Sequence, residues 1–141
     1  MSLKSDGFSL VEFLVGSIIA AIAATSIMYG VASVRKTTNL ISIKEKAFEE
    51  LSNYTDFWKS KIAAGEWAGT NSWTPGSEFN LIGNQKKPIK ATLYKKGGVV
   101  NGNYPYPLYV LETKIIWQDR EEEANIPARE MKLKVYQLEF K

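Results

Sequence analysis

Hydrophobic and polar positions fall into three regimes along the chain. From Phe13 to Val34 there are 22 consecutive residues without a charged side chain. At about 1.5 Å per helical residue such a run crosses a bilayer core of roughly 30 Å, and it predicts a membrane helix. Its small residues, among them Gly16, Ser17, Ala20, Ala24 and Gly30, allow close approach of a neighbouring helix. Past Arg35 the pattern becomes amphipathic. Leu40, Ile43, Ala47, Leu51, Tyr54, Trp58 and Ile62 recur at helical spacing, with Lys44, Lys46, Glu49, Glu50, Asp56 and Lys59 mostly off that stripe. One face of this second half must pack on something, and Gly65 closes the pattern. A single helix from Phe8 to Ala64 would span about 85 Å, more than one membrane crossing needs, so a domain is expected to sheathe its second half. Heptads with complementary flanking charges are not sustained, which makes a coiled coil the weaker alternative.

The third regime begins at Gly65. Gly65, Gly69, Pro75, Gly76, Gly83 and Pro88 lie among Asn, Ser and Thr, and the stretch from Gly65 to Pro88 is expected to be a long connecting loop, pinned by Trp67, Trp73 and Phe79. Ile89 to Tyr94 predicts a short strand, closed by a turn at Lys95-Lys96-Gly97-Gly98, with Val99-Val100 starting a return strand. Pro105 and Pro107 bar regular pairing beyond it. Tyr109 to Trp117 is the clearest strand, with Tyr109, Leu111, Thr113, Ile115 and Trp117 on one face. After the acidic turn Asp119 to Glu123 and Pro127, a last strand is expected from Glu130 to Phe140. There the apolar parity switches from Met131, Leu133 and Val135 to Tyr136, Leu138 and Phe140, predicting a β-bulge near Val135-Tyr136 or a strand covered on both sides. The expected fold class is α+β, a long N-terminal helix packed on an antiparallel sheet of three or four strands.

Composition narrows the chemistry. The 141 residues support one small domain beyond the membrane helix. A net charge of +3 is a small cationic excess, which favours anionic partners weakly. With no Cys there is no disulfide, and with neither His nor Cys the sequence offers no His-based acid–base pair, Cys nucleophile or usual zinc ligand set. The consecutive Glu121, Glu122 and Glu123 lack the alternating oxygen ligands of a calcium loop. Gly97-Gly98 lacks the Lys-Ser or Lys-Thr of a phosphate loop. No catalytic residue, metal site or cofactor is therefore expected, and the chain is not expected to be an enzyme.

One residue does invite a function. Glu12 stands at the mouth of the apolar run, four residues after Phe8. A carboxylate in lipid costs on the order of 2.5 kcal/mol or more, so it needs a partner. If the chain were cut between Gly7 and Phe8, the new α-amino group would lie one helical turn from Glu12 and could pair with such a carboxylate on the same or a neighbouring chain.

Gly7-Phe8-Ser9-Leu10-Val11-Glu12, with the short polar leader before it and the apolar helix after it, resembles the class III leader junction of type IV pilins and type II secretion pseudopilins. The resemblance covers about the first 35 residues. It implies a leader, residues 1–7, that prepilin peptidase removes after Gly7; N-methylation of Phe8; and a Glu12 that directs assembly by pairing with the N-terminal amine of an adjacent subunit. It divides the chain into a transmembrane and assembly half of the helix (8–34), an amphipathic half (35–64), and a loop-and-sheet region (65–141) that forms one globular domain with 35–64. The implied partners are other pilin or pseudopilin subunits, an inner-membrane assembly platform and membrane lipid. The departures are Asp6 beside Gly7, a leader with Lys4 as its one cation, no Pro in the helix and no disulfide. They point to a minor rather than a major subunit.

Counting cations alone, Arg35 and Lys36 against Lys4, would place the C-terminal side in the cytoplasm. The leader resemblance, which is more specific than the cation count, implies a C-terminal side in the periplasm or outside. Two alternatives stand beside the filament subunit. One is a competence-type pilin that binds DNA through Lys86, Lys87, Lys90, Lys95 and Lys96 with the loop aromatics. The other is a single-pass anchored periplasmic interaction protein that never polymerises.

Overall fold

The computed structural model describes residues 9–67, 69–81, 88–101, 106–118 and 127–140. A helix α1 (Leu10–Ala63) is followed by four strands, β1 (Thr70–Leu81), β2 (Ile89–Asn101), β3 (Leu108–Trp117) and β4 (Arg129–Leu138). The strands form one antiparallel sheet in the order β1-β2-β3-β4. The fold is α+β. The chain divides into two compact units, 1–38 and 39–141; the first holds the N-terminal part of α1 and the second the rest of α1 with the sheet.

In the second unit the amphipathic stripe does what its spacing requires. Ile43, Ala47 and Leu51 join Leu93, Ile115 and Trp117 in one buried cluster, and Ile62 joins Tyr109 and Leu111 in another. Between the clusters the buried hydroxyls of Thr55 and Thr113 lie 2.6 Å apart. Thr55 donates to the Leu51 carbonyl at 2.7 Å, so Thr113 donates to Thr55. This polar contact fixes the register of helix against sheet, because sliding either element would leave the Thr113 hydroxyl buried without its partner. The helix ends at Gly65, whose φ of 71° is open to glycine at little cost. The Gly65 amide donates to the Ile62 carbonyl and the Glu66 amide to the Lys61 carbonyl, both at 2.9 Å, which is the Schellman pattern of a helix C-terminus.

Strand β3 alternates buried and half-buried along its whole length, with the buried set starting at Tyr109. Three expectations for its neighbours are corrected. The stretch from Gly65 to Pro88 is not a loop throughout, since β1 occupies Thr70–Leu81. Pro75 and Gly76 fall inside it, and the register with β2 shifts between Thr70 and Thr74 and again between Pro75 and Glu78. An edge strand tolerates a residue without an amide donor, and the shifts scramble the period-two signal.

The turn expected at Lys95 to Gly98 does not exist: β2 runs straight through, with Gly97 opposite Leu111 and Gly98 opposite Val110. Neither glycine has a positive φ. Gly97 is needed for space, since a Cβ there would lie 2.1 Å from the Val110 carbonyl oxygen and 3.1 Å from the Trp67 ring.

Nor is there a bulge in β4, which pairs with β3 at every position from Arg129 to Leu138 without a shift. Tyr136 and Leu138 stand on the outer side at 58% and 39% exposure, so that side is not covered either. The apparent change of parity comes from apolar residues placed at the solvent-facing end of the strand. Residues 1–8, 82–87 and 119–126, with the leader and the acidic turn, lie outside the described residues.

Candidate functional site

Glu12 lies in the first turn of α1, where the positive end of the helix dipole favours a carboxylate. The turn is closed by the Phe13 amide donating to the Ser9 carbonyl at 3.1 Å. Beyond it, α1 is the one helix among the described residues that is long and apolar enough to cross a membrane. Three hydroxyls of this segment bond to their own helix: Ser17 donates to the Leu14 carbonyl (2.8 Å), Thr25 to that of Ala21 (3.0 Å) and Ser26 to that of Ile22 (2.8 Å). Glu12 cannot be neutralised in this way. From Ser9 to Val34 it is the one charged residue. Gly16 and Gly30 stay within the helix, and a Cβ on either would meet nothing within 4 Å. Gly7 and Phe8, the expected cleavage and methylation positions, lie outside the described residues.

The lysines considered for DNA binding do not form one surface. Lys86 and Lys87 are outside the described residues. Lys95 and Lys96 are neighbours on a strand and so point to opposite faces. Lys95 turns to the helix side, its Nζ 2.9 Å from the centroid of the Trp58 ring and 5.7 Å from that of Trp67. Burial there pushes its ammonium below the ordinary lysine range, while the ring faces attract the cation.

Lys96 turns outward and pairs with Glu112 at 2.8 Å; Lys134 reaches the other oxygen of Glu112 at 3.3 Å. The Trp73 ring lies 4.8 Å from the Lys96 ammonium and 4.4 Å from that of Lys114. Sequence reasoning set Lys96 beside the loop aromatics but missed Glu112, Lys114, Lys132 and Lys134, which complete this outer array with Trp73. Its signal was the even-numbered set of β3 and β4, which becomes visible once Lys95-Lys96 is read as strand rather than turn. Among the described residues no three Asp or Glu side chains gather as a metal site.

Glu112 carries a pH prediction. The Lys96 hydrogen bond, aided by Lys134, holds its carboxyl below the ordinary value despite some burial. A folded-state pKa below the unfolded one means that this contribution is fully present above the unfolded pKa and lost as pH falls through the folded one. Denaturation midpoints measured from neutral pH downward should show wild type ahead of Glu112→Gln, with the gap closing through the lower carboxylate range.

No family model matches the chain, and neither does any curated protein or solved structure. What stands is the architecture itself: a long apolar helix near the N-terminus and, in the second unit, its continuation packed on a small antiparallel sheet, an arrangement compatible with a pilin-like fold.

Proposed function

We propose that the chain is a structural subunit, minor rather than major, of a filament of the type IV pilus or type II secretion pseudopilus class, assembled from the inner membrane with its C-terminal domain in the periplasm or outside. The observation that carries this reading is Glu12, the one charge between Ser9 and Val34, four residues after Phe8. Prepilin peptidase would cut between Gly7 and Phe8, and the amine of Phe8 would be methylated. Lipid makes an unpaired Glu12 unfavourable, and the amine of a neighbouring subunit relieves it, so the membrane selects neighbours docked in register. A paired charge of this kind is a device for specificity more than for stability. The partners are sister subunits and an assembly platform, and the role is structural, with no catalytic residue or cofactor.

Glu12→Leu should leave membrane insertion and leader removal intact while lowering incorporation into sheared filaments or pseudopili by at least about tenfold, since 1.4 kcal/mol of lost pairing already amounts to that factor. Immunoblots of filament and membrane fractions make the comparison. Equal incorporation of wild type and variant would refute the role of Glu12.

A further inference from the structure

The two edges of the sheet are finished differently. β1 carries Pro75 and two register shifts, the devices by which natural sheets blunt an edge. β4 contains neither Pro nor Gly, pairs with β3 in unbroken register over ten positions, and has no described strand on its other side. A straight edge of that length presents a row of backbone N–H and C=O groups ready to pair.

The two faces of this edge have distinct chemistry. On the helix side Met131, Leu133 and Val135 pack against the core clusters yet remain half-buried at the rim. On the outer side the Lys132 and Lys134 side chains are 56% and 55% exposed. Lys132 pairs with Glu130 at 2.9 Å and sits directly opposite Lys114 in the ladder, and Lys134 shares Glu112 with Lys96, so two carboxylates face four lysines. The outer rim therefore has more cations than the Glu112 and Glu130 carboxylates beside them.

We propose that β4 accepts an extended segment of another polypeptide as a fifth strand, and that this segment alternates acidic and apolar residues. Residues paired across a ladder share a face. Two acids spaced two apart would meet Lys132 and Lys134, and the apolar residues between them would continue the row of Met131, Leu133 and Val135. Main-chain bonds supply affinity and the alternating side chains supply selectivity. A second β4 is a poor occupant. The two antiparallel registers that pair most of the strand set Lys134 against Lys134 or Lys132, and parallel pairing in register sets each lysine against itself. The lysines thus guard the edge against copies of this chain while favouring an acidic guest. The proposal does not depend on filament assembly.

The test uses the full-length chain in detergent micelles and a short fluorescent peptide alternating Glu and Val. Two control peptides have the same composition arranged in blocks, or Lys in place of Glu. Anisotropy should show the Glu–Val alternation binding at least about tenfold more tightly than either control. The double variant Lys132→Glu/Lys134→Glu should lose at least about tenfold in affinity, whereas Lys36→Glu/Lys44→Glu, with the same change in net charge, should bind as wild type. Hydrogen exchange should slow in β4 and not in β1. Equal affinity for all three peptides, equal loss in both double variants, protection at β1, or β4 found cross-linked to another copy of this chain would overturn the proposal.

Discussion

Gly97→Ala should unfold the sheet-bearing unit under conditions where wild type is folded, with a loss of about 3 kcal/mol or more. The added Cβ would lie 2.1 Å from the Val110 carbonyl oxygen and 3.1 Å from the Leu111 Cα, both main-chain atoms of the central strand β3. Neither can rotate away, so relief requires β2 and β3 to part where they pair Gly97 with Leu111. Gly98→Ala supplies the comparison. Its Cβ would meet the Asn71 side-chain oxygen at 3.0 Å, a group that can swing aside, and its loss should stay under about 1 kcal/mol. Urea titration of the full-length protein, followed by tryptophan fluorescence, reads both. Similar midpoints for the two variants would mean that β2 and β3 are not in contact at Gly97.

Leu51→Ala should cost about 2–5 kcal/mol in the same titration. Leu51 is fully buried at the centre of the helix stripe, against a cluster that includes Leu93, Ile115 and Trp117. Helix and strands come from distant parts of the chain, so the cavity cannot be closed without shifting a whole element. Phe48→Ala removes a larger side chain from the same helix, but that ring is half exposed, and its loss should change the midpoint within about 0.5 kcal/mol. If Phe48→Ala were the more damaging, the face of α1 that meets the sheet would be the wrong one.

How much of this was visible in the sequence depends on how strictly a segment keeps its period. The stripe Ile43, Ala47, Leu51 and Ile62 and the strand Tyr109 to Trp117 keep theirs throughout, because each presents one face to one core. β1 was hidden because Pro75, Gly76 and two register shifts break the alternation by which strands are recognised. Gly97-Gly98 misled for a different reason. A glycine pair carries the same letters whether it turns the chain or makes room for Trp67 and a neighbouring strand, and only the position of those neighbours separates the two. A turn at Lys95-Lys96 hides their opposite orientations, whereas the strand sends Lys95 to the helix side and Lys96 to the outer side, so the cationic set spans two faces of the sheet.

At the N-terminal end, the place of Glu12 ahead of an uncharged run needs no tertiary information, whereas its role in assembly is a proposal. The partner proposed for it lies on another molecule or on an amine that cleavage would create, and neither belongs to a single uncut chain. The array on the outer side of the sheet was illegible for the complementary reason: Trp73, Lys96, Glu112 and Lys134 come from four different strands, and only the pairing register brings them together.

The most direct measurement is the intact mass of the protein recovered from membranes of cells that make the whole assembly system. The filament account predicts a polypeptide that begins at Phe8, lacks Met1 through Gly7 and carries one added methyl group on its amino terminus. A mass that still includes Met1 through Gly7 would contradict it, because the amine meant to neutralise Glu12 would never have been made.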